Sequence, residues 1–279
     1  MKRRPAYALR RVRQTASVFD NGPQLLAQLA FHRVTGRPRE LVYRLDDGVR
    51  VRCPNVAGAR LPIYEVLIDD TYGLPWFTTG LRAAPTVLDI GAHIGSFSLA
   101  VCRLRSDAVV AAFEASATTA SFLQHNVNVN GLAEQVQVFN VAVASVSGTV
   151  EFVDNGSGSV HNGMVSPERA APTRVPSVTF VEAAARVGER IDLVKIDAEG
   201  AEYDFILASD PRDWAGVHRI VMEHHNVGGH HWDELERFFA ATGLRVVRHV
   251  EHSDRLGLVW LSREPVPGPW PDAGAVAGS

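Results

Sequence analysis

Several residues able to carry chemistry follow apolar stretches of this sequence, at points where a strand would end. Five of them come after two neighbouring apolar runs: Asp197, Glu199, Glu223, His224 and His225. Carboxylates and imidazoles brought together can accept a proton from a substrate hydroxyl or bind a divalent cation. We therefore predict that these five form a catalytic group with His225 as the preferred base. Within it, Asp197, Glu223 and His224 are candidate ligands for Mg²⁺ or Mn²⁺.

Other interpretations of these residues stay open. Asp197, Glu199 and Glu202 could lie in the solvated first turn of a helix, where acidic residues are favoured. Successive side chains of a strand point to opposite faces, so we expect only one of His224 and His225 to enter a shared site. A base held by its neighbours, without any metal, is the alternative to cation binding.

A glycine turn precedes this group in the chain. The apolar run at 86–90 contains Asp89 and is followed by Gly91 and Gly95, after which an amphipathic segment begins. Glycine lets the backbone approach a ligand because it has no Cβ and tolerates positive φ. The helix behind the turn offers N–H groups to an anionic or polar ligand. Dinucleotide enzymes and methyltransferases both use such turns, although this spacing departs from G-x-G-x-x-G.

An acidic residue, Glu114, ends the next apolar run, about two dozen residues after Gly91, near the interval typical of a ribose-binding acid. A carboxylate there can accept hydrogen bonds from both hydroxyls of a ribose. Capping of the following helix is the alternative role for Glu114. The turn and the acid together predict a ligand that contains a nucleoside.

Five apolar runs alternate with helical segments in the middle of the chain, at 86–90, 108–113, 136–143, 191–196 and 217–222. They lack the polar alternation of half-exposed strands, which is typical of strands buried on both faces. This order predicts an α/β fold with a mostly parallel sheet and helices on both faces. Two further strands, at 244–250 and 256–261, are expected to close it as an antiparallel pair. Ligands of such sheets bind beyond the carboxyl ends of the strands.

The chain divides into three expected parts: an N-terminal α/β cap at 1–80, a main domain at 81–263 and a disordered tail at 264–279. The cap is expected to hold a helix, a hairpin and a second helix, at 22–35, 41–53 and 61–70. Its basic first 19 residues are expected to form a solvated, partly disordered arm. The alternative is an amphipathic arm that contacts a membrane or a polyanion. The segment 154–177 is expected to be a loop, either a substrate lid or a disordered insertion.

Composition restricts the class of protein. The chain has 279 residues and is 46% hydrophobic, which supports a large buried core. Its net charge of −3 gives no reason to expect a nucleic-acid partner. The two cysteines, Cys53 and Cys102, form neither a metal-binding spacing nor a disulfide framework, which favours a cytoplasmic location. No apolar run is long enough to span a membrane. The basic N-terminus is not followed by the apolar segment of a secretory signal, so we do not expect such a signal.

Five segments occur in an order that resembles the FkbM family of S-adenosylmethionine-dependent methyltransferases: 89–95, 112–115, 126–131, 140–142 and 192–202. The resemblance extends over roughly 85–225, and its most specific part is the sequence KIDAEGAE at 195–202. The chain departs from the family at His93, where asparagine is usual, and at Phe180-Val181, where Leu-Asp is common. The first departure affects expected cofactor contacts, and the second affects a helix start.

The resemblance implies a class I methyltransferase domain with a Rossmann-like, seven-stranded sheet and S-adenosylmethionine as cofactor. The residues that it places near the cofactor are Asp89, Gly91, Ala92, His93, Gly95, Ser96, Glu114, Ala115, Asn140, Ala142 and Asp197. Tyr72 and Trp76, just before this domain, are further candidates for contact with cofactor or acceptor. Core packing is the alternative for Trp76.

The function predicted on this basis is O-methylation of a hydroxyl on a small-molecule natural product or sugar-containing metabolite. N-methylation and a homodimeric assembly stay open. One alternative is an NAD(P)-dependent oxidoreductase, which shares the turn and Glu114 but calls for a Tyr-x-x-x-Lys or similar constellation that the sequence lacks. Another is a non-catalytic nucleotide-binding protein, which would need no acids or histidines after the fourth and fifth strands.

Overall fold

The computed structural model describes residues 5–152 and 173–270. The N-terminal part forms α1 (Pro5–Val18), α2 (Gly22–Thr35), β1 (Glu40–Arg44), β2 (Arg50–Pro54), α3 (Ala57–Leu67) and α4 (Leu74–Phe77). The middle part forms β3 (Thr86–Ile90), α5 (Ser96–Leu104), β4 (Val109–Phe113), α6 (Ala117–Val129), β5 (Val136–Phe139), β6 (Ala142–Val143) and β7 (Gly148–Phe152). The last part forms β8 (Thr173–Val178), α7 (Phe180–Ala184), β9 (Leu193–Ile196), α8 (Glu202–Ala208), a 3₁₀ turn (Pro211–Trp214), β10 (Arg219–His225), α9 (Trp232–Thr242), β11 (Arg245–Ser253) and β12 (Leu256–Ser262).

Seven strands form the central sheet, in the order β11-β12-β10-β9-β3-β4-β5. The five strands from β10 to β5 are parallel, and β12 runs antiparallel to both of its neighbours. All four residues of β9 are buried, as expected for a central strand covered on both faces. The predicted mostly parallel sheet is confirmed. Chain order reverses between β3 and β9, which opens a crevice beyond their carboxyl ends.

Two predicted strands have different limits in the structure. The run at 136–143 breaks into β5 and β6, and β6 joins a separate three-stranded sheet with β8 and β7. The break occurs at Asn140, whose side-chain amide donates hydrogen bonds to the carbonyls of Glu114 and Ala115, at 2.9 and 3.1 Å. The fifth parallel strand continues to His225, so Glu223 and His225 lie within β10. The expectation of a loop at 154–177 is wrong for residues 173–177, which belong to β8. Residues 154–172 lie outside the described residues.

The expected disordered arm is wrong for residues 5–18, which form α1. Its contacts with α3 and the loop after it explain why this segment is ordered. The hydroxyls of Thr15 and Tyr64 lie 2.7 Å apart, and Arg11 forms an ion pair of 2.6 Å with Asp69. At 14 residues each, α1 and α2 are the longest helices of the described part, and none there is long and apolar enough to cross a membrane.

Part of the segment expected to be a disordered tail packs on the main domain. The ring of Trp270 lies edge-on to those of Trp76 and Trp260, with centroid distances of 5.1 and 4.8 Å. Aromatic pairs in this range are stabilising beyond the area that they bury. The expectation of disorder is therefore wrong for Trp270, and residues 271–279 lie outside the described residues.

Candidate active site

The turn after β3 is built on two glycines with left-handed backbone conformations. Gly91 has φ +73° and Gly95 has φ +93°. A Cβ at Gly91 would collide with the carbonyl oxygen of Asp197, and one at Gly95 would lie 2.6 Å from the side chain of Leu123. The turn thus packs directly against the segment after β9 and against α6, and glycine is required for both contacts.

Glu114 is held at the start of the segment after β4 by two backbone donors. Its Oε2 accepts a hydrogen bond from the N–H of His93 and its Oε1 accepts one from the N–H of Ser116, both at 2.9 Å. The residue is 8% exposed. These bonds join the glycine turn to the acid after the second strand and fix the carboxylate in the pocket wall.

Tyr72 and eight of the eleven residues that the family resemblance places near the cofactor line one pocket at the carboxyl ends of β3, β4 and β9. The three that do not line it are Asp89, Gly95 and Asn140. Each of these three supports a residue that does, Asn140 through the carbonyl contacts given above. Lining residues that the prediction missed come from α3 and include Gly58, Pro62 and Val66. Their sequence gives no signal, because they are ordinary helix residues placed there by the tertiary fold.

Two polar atoms in this pocket are buried without a hydrogen-bond partner in the described part of the chain: His93 Nδ1 and Ser96 Oγ. Burial lowers the pKa of His93 to about 4, so the ring is neutral near pH 7. Ser96 is the first residue of α5, whose N-terminal N–H groups face the turn. A polar or anionic group bound here would satisfy atoms that are otherwise costly to bury.

Lys195 is a central residue of the site that the sequence analysis did not single out. Its ammonium group donates a hydrogen bond of 2.6 Å to the carbonyl of Gly91 and lies 3.5 Å from Asp89 and 3.7 Å from Asp197. Burial lowers the pKa of Lys195, but the surrounding carboxylates outweigh this and leave it raised. Asp89 also accepts a bond of 2.7 Å from Ser98, so it acts as a buried support. A lysine inside an apolar strand was the available signal.

A cluster of carboxylates surrounds His225 at the end of β10. The imidazole Nδ1 lies 3.0 Å from Glu202, and Nε2 lies 3.5 Å from Glu199 and 3.6 Å from Glu223. One potential ligand atom from each of Asp197, Glu223 and His225 lies within 4.8 Å of the others. The structure therefore brings together four of the five predicted catalytic residues and adds Glu202.

Glu202 is fully buried and organises the segment between β9 and α8. Its carboxylate accepts hydrogen bonds from the backbone N–H groups of Ala198 and Gly200, at 3.0 and 2.8 Å. The interpretation of this acid as part of a solvated helix turn is wrong. Because Glu202 also binds Nδ1 of His225, it points Nε2 toward Glu199 and Glu223.

The cluster holds protons near neutral pH. Burial raises the pKa of Glu199 to about 9 and that of Glu223 to about 8, and the charge of Asp197 adds to both effects. Burial lowers the pKa of His225, but the hydrogen bond to Glu202 and the nearby carboxylates raise it to about 10. A protonated imidazole cannot accept another proton, so in this state His225 orients the carboxylates around it.

His224 lies on the opposite face of β10, as strand alternation predicts. Its Nε2 is 3.0 Å from Nε2 of His249, and its ring stacks on Trp232 at 5.1 Å. The residue is 2% exposed, and burial lowers its pKa to about 4. The grouping of His224 with Asp197 and Glu223 is therefore wrong, because the structure brings His225 to these two residues instead.

The two aromatic residues before β3 have different positions. Tyr72 is buried, lines the pocket and packs edge-on to Phe97 with a centroid distance of 5.5 Å. Trp76 stacks on Phe77 and packs against Trp270, outside the pocket, and its indole N–H donates to the carbonyl of Gly268 at 3.0 Å. Tyr72 keeps its predicted place at the site, and Trp76 has the packing role.

The sheet order, the glycine turn and the acid after the second strand define a Rossmann-like class I methyltransferase fold. Residues 89–254 match the profile of the methyltransferase FkbM domain, and the chain belongs to this family. The matched region begins at Asp89 in β3 and includes the whole carboxylate cluster.

Two curated relatives have names that describe their roles. The chain is 28% identical over 222 residues to the AMB antimetabolite synthetase AmbE of Pseudomonas aeruginosa, a match that covers 65% of this chain and 10% of AmbE. It is 25% identical over 190 residues to the methyltransferase sdnD of Sordaria araneosa, covering 57% of this chain and 72% of sdnD. The chain thus spans about a tenth of the first relative and almost three quarters of the second.

Solved structures similar to this one are distant in sequence. The magnesium protoporphyrin IX methyltransferase ChlM of Synechocystis, with bound S-adenosylmethionine, is 12% identical with a TM-score of 0.42 and matches 74% of this chain and 80% of its own. TrmK of M. capricolum, in complex with S-adenosylhomocysteine, is 11% identical with a TM-score of 0.40 and matches 69% of this chain and 68% of its own.

Proposed function

We propose that this protein transfers the methyl group of S-adenosylmethionine to a hydroxyl of a small-molecule natural product or sugar-containing metabolite. The main support for this proposal is that the donor pocket and the carboxylate cluster share residues. The pocket walled by Glu114 and the glycine turn includes Asp197 and Glu199, which belong to the cluster around His225. A donor pocket that includes a carboxylate able to accept a proton, here Asp197, suits methyl transfer to a hydroxyl.

The pocket residues fit the parts of this cofactor. The fixed carboxylate of Glu114 suits a ribose, whose two hydroxyls are donors. The unpartnered Nδ1 of His93 and Oγ of Ser96, at the N-terminus of α5, suit the carboxylate and ammonium of its methionine part. Ala142 and its neighbours on the short sheet leave an apolar wall for the adenine ring.

The chain's own contribution to the reaction is alignment and proton removal. Bound in this pocket, S-adenosylmethionine supplies a methyl group already activated by its positively charged sulfur. The protein must then hold the acceptor oxygen in line with that methyl group, which lowers the entropic cost of the encounter. We assign acceptance of the hydroxyl proton to the carboxylate of Asp197, because Glu199, Glu223 and the imidazole of His225 already hold protons near neutral pH. Such a base contributes about 10²–10⁴-fold.

A divalent cation is the further part of this proposal. Once Glu223 and His225 have released their protons, Asp197, Glu223 and His225 would offer two oxygen ligands and one nitrogen ligand, a set compatible with Mg²⁺ or Mn²⁺. Glu202 would keep the ligating nitrogen of His225 in place, as outer carboxylates do for metal-bound histidines. A cation there would lower the pKa of the acceptor hydroxyl.

The substrate class rests on the names of the relatives and on the family. One relative is named an antimetabolite synthetase and another a methyltransferase, which supports a role in natural-product synthesis. Cys53 and Cys102 are both buried free thiols, which supports a cytoplasmic site of action.

The test is a methyl-transfer assay with isotopically labelled S-adenosylmethionine and a panel of hydroxylated acceptors. The wild type is expected to label at least one acceptor. Asp197→Asn should lower kcat by about 100-fold or more if Asp197 takes part in proton removal. Glu236→Gln, on the exposed face of α9, is the matched control and should keep full activity.

Addition of EDTA, followed by Mg²⁺ or Mn²⁺, tests the cation part separately. Loss of labelling in EDTA with recovery in either metal is the expected result. Unchanged labelling in EDTA would show that no cation takes part and that the carboxylates act without one. Unchanged kcat in Asp197→Asn would contradict the catalytic assignment.

A further inference from the structure

A second cavity lies between α1, α2 and α3, away from the pocket described above. Its volume is 440 Å³, which is enough for a small organic molecule. Tyr43 from the hairpin and Tyr64 of α3 both contribute to its lining. None of its lining residues belongs to the predicted cofactor or catalytic sets, so the function proposed above does not explain it.

Helix α3 separates the two cavities. One stripe of its residues, Gly58, Pro62 and Val66, lines the donor pocket. The adjacent stripe lines the second cavity: Ala57, Arg60, Leu61 and Tyr64. Residues three or four apart share a helix face, so one helix presents a wall to each space.

Three residues that line this second cavity each carry a buried polar atom without a hydrogen-bond partner among the described residues. The hydroxyl of Tyr43, Nδ1 of His32 and Nε of Arg11 are buried and have no hydrogen-bond partner in the described part of the chain. Tyr43 is 0% exposed. A buried polar group without a partner destabilises the folded state, so several beside one cavity favour a polar occupant.

The charge of the lining is entirely positive. Three arginines, Arg11, Arg33 and Arg60, contribute to it, and no aspartate or glutamate does. Arg11 is already paired with Asp69 at 2.6 Å. Arg60 donates a hydrogen bond of 2.6 Å to the neutral side chain of Asn55, and within the described ranges it has no carboxylate at ion-pair distance. Arg60 therefore brings an uncompensated charge to the cavity, close to Tyr43.

The remainder of the lining is apolar. Leu26 and Leu29 of α2 and Leu61 of α3 contribute aliphatic surface, and the rings of Tyr7 and Tyr64 add aromatic surface. A ligand that fits must combine an anionic head for Arg60 with an apolar body for these side chains. Inorganic anions alone would leave the apolar surface uncovered.

We propose that this cavity is a second ligand site, for a molecule with a carboxylate or phosphate head and an apolar body of about eight carbon atoms or similar size. Arg60 binds the head, the hydroxyl of Tyr43 donates a hydrogen bond to it, and the leucines of α2 and α3 cover the body. The proposed site does not depend on methyl transfer, although α3 lines both this cavity and the donor pocket.

Thermal unfolding and calorimetry with octanoate and octyl phosphate test the proposal on the full chain. At least one of them should raise Tm and bind saturably, and the better of the two identifies the head group. Octanol, which has the same body without charge, should bind at least tenfold more weakly. Failure of both anions to bind would overturn the proposal.

Variants decide whether binding occurs in this cavity. Arg60→Met and Tyr43→Phe should each weaken binding of the anion, by about tenfold or more for Arg60→Met. Arg39→Met removes an exposed arginine outside the lining and should leave the affinity unchanged. Tyr43→Phe keeps the aromatic ring and is therefore expected to fold. It tests the assignment even if Arg60→Met does not fold. Equal affinity in the wild type, Arg60→Met and Tyr43→Phe would place the anion elsewhere and contradict the assignment.

Discussion

Glu114 Oε2 accepts a hydrogen bond from the backbone N–H of His93 at 2.9 Å, and this contact joins the glycine turn to the acid after the second strand. The two motifs therefore form one unit at the carboxyl ends of β3 and β4. A second bond, from the N–H of Ser116 to Oε1, fixes the other carboxylate oxygen. We therefore expect replacement of this one side chain to disturb both the turn and the proposed contact with a ribose.

Glu114→Gln should weaken S-adenosylhomocysteine binding by about 10- to 100-fold, because the amide keeps only one acceptor oxygen for two backbone donors. Equilibrium dialysis with labelled ligand measures the change. Glu236→Gln is the control and should bind as the wild type does. Equal affinity in both variants would remove Glu114 from the donor site.

Gly91→Ala should destabilise the protein and abolish donor binding, since its Cβ would collide with the carbonyl oxygen of Asp197. Gly188→Ala is the matched control: Gly188 also has a positive φ, of +102°, but a Cβ there would meet no atom within 4 Å. Urea unfolding should show a loss of about 1 kcal/mol for the control and distinctly more for Gly91→Ala. Similar losses would mean that the collision is relieved by movement of the turn.

Lys195→Met should lower the free energy of unfolding by about 3–5 kcal/mol, because it leaves Asp89 buried beside an apolar side chain. Addition of Asp89→Asn should recover part of this loss, since the buried charge is then gone. Chemical denaturation of the wild type, both single variants and the double variant gives the coupling energy. Additive losses would show that the two residues do not interact.

Asp70→Asn should stabilise the protein at pH 7. Burial raises the pKa of Asp70 from its ordinary value of 3.8 to about 6 in the folded state. A raised folded-state pKa means that ionisation opposes folding, so stability falls as pH rises from about 4 to 6. Asparagine tolerates the left-handed backbone at this position, φ +45°, and keeps an acceptor for the N–H of Leu74.

The expected gain for Asp70→Asn is about 1–2 kcal/mol at pH 7, less than the full pKa shift implies because the side chain is partly exposed. Below pH 4 the gain should disappear. Thermal unfolding between pH 4 and 7 measures this, with Asp20→Asn, an exposed carboxylate, as the control. A gain that does not change with pH would show that ionisation of Asp70 is not its cause.

Much of the sheet and of the pocket could be predicted from the sequence, because the information is local. Apolar runs without alternation mark buried parallel strands, and β3 was predicted with its observed limits. The residues that follow such strands must meet at one edge of the sheet, which is why nine predicted cofactor residues line one pocket.

The remaining features depend on contacts between distant segments. The role of Glu202 follows from its contacts with His225 and with the segment after β9, which the spacing of the sequence does not reveal. A lysine in an apolar strand indicates a buried charge at Lys195 but does not identify its partners. Order in α1 depends on Tyr64 and Asp69, about 50 residues further along the chain. His224 and His225 were separable by strand alternation, but which of them faces the acids depends on the register of β10 with β9.

The most direct test of the proposed function is calorimetry of the wild-type protein with S-adenosylhomocysteine and with NADH. We expect saturable binding of S-adenosylhomocysteine at one site and no binding of NADH, because the fixed Glu114 and the short turn suit a single nucleoside with an amino-acid tail. Binding of NADH without binding of S-adenosylhomocysteine would contradict the proposed function.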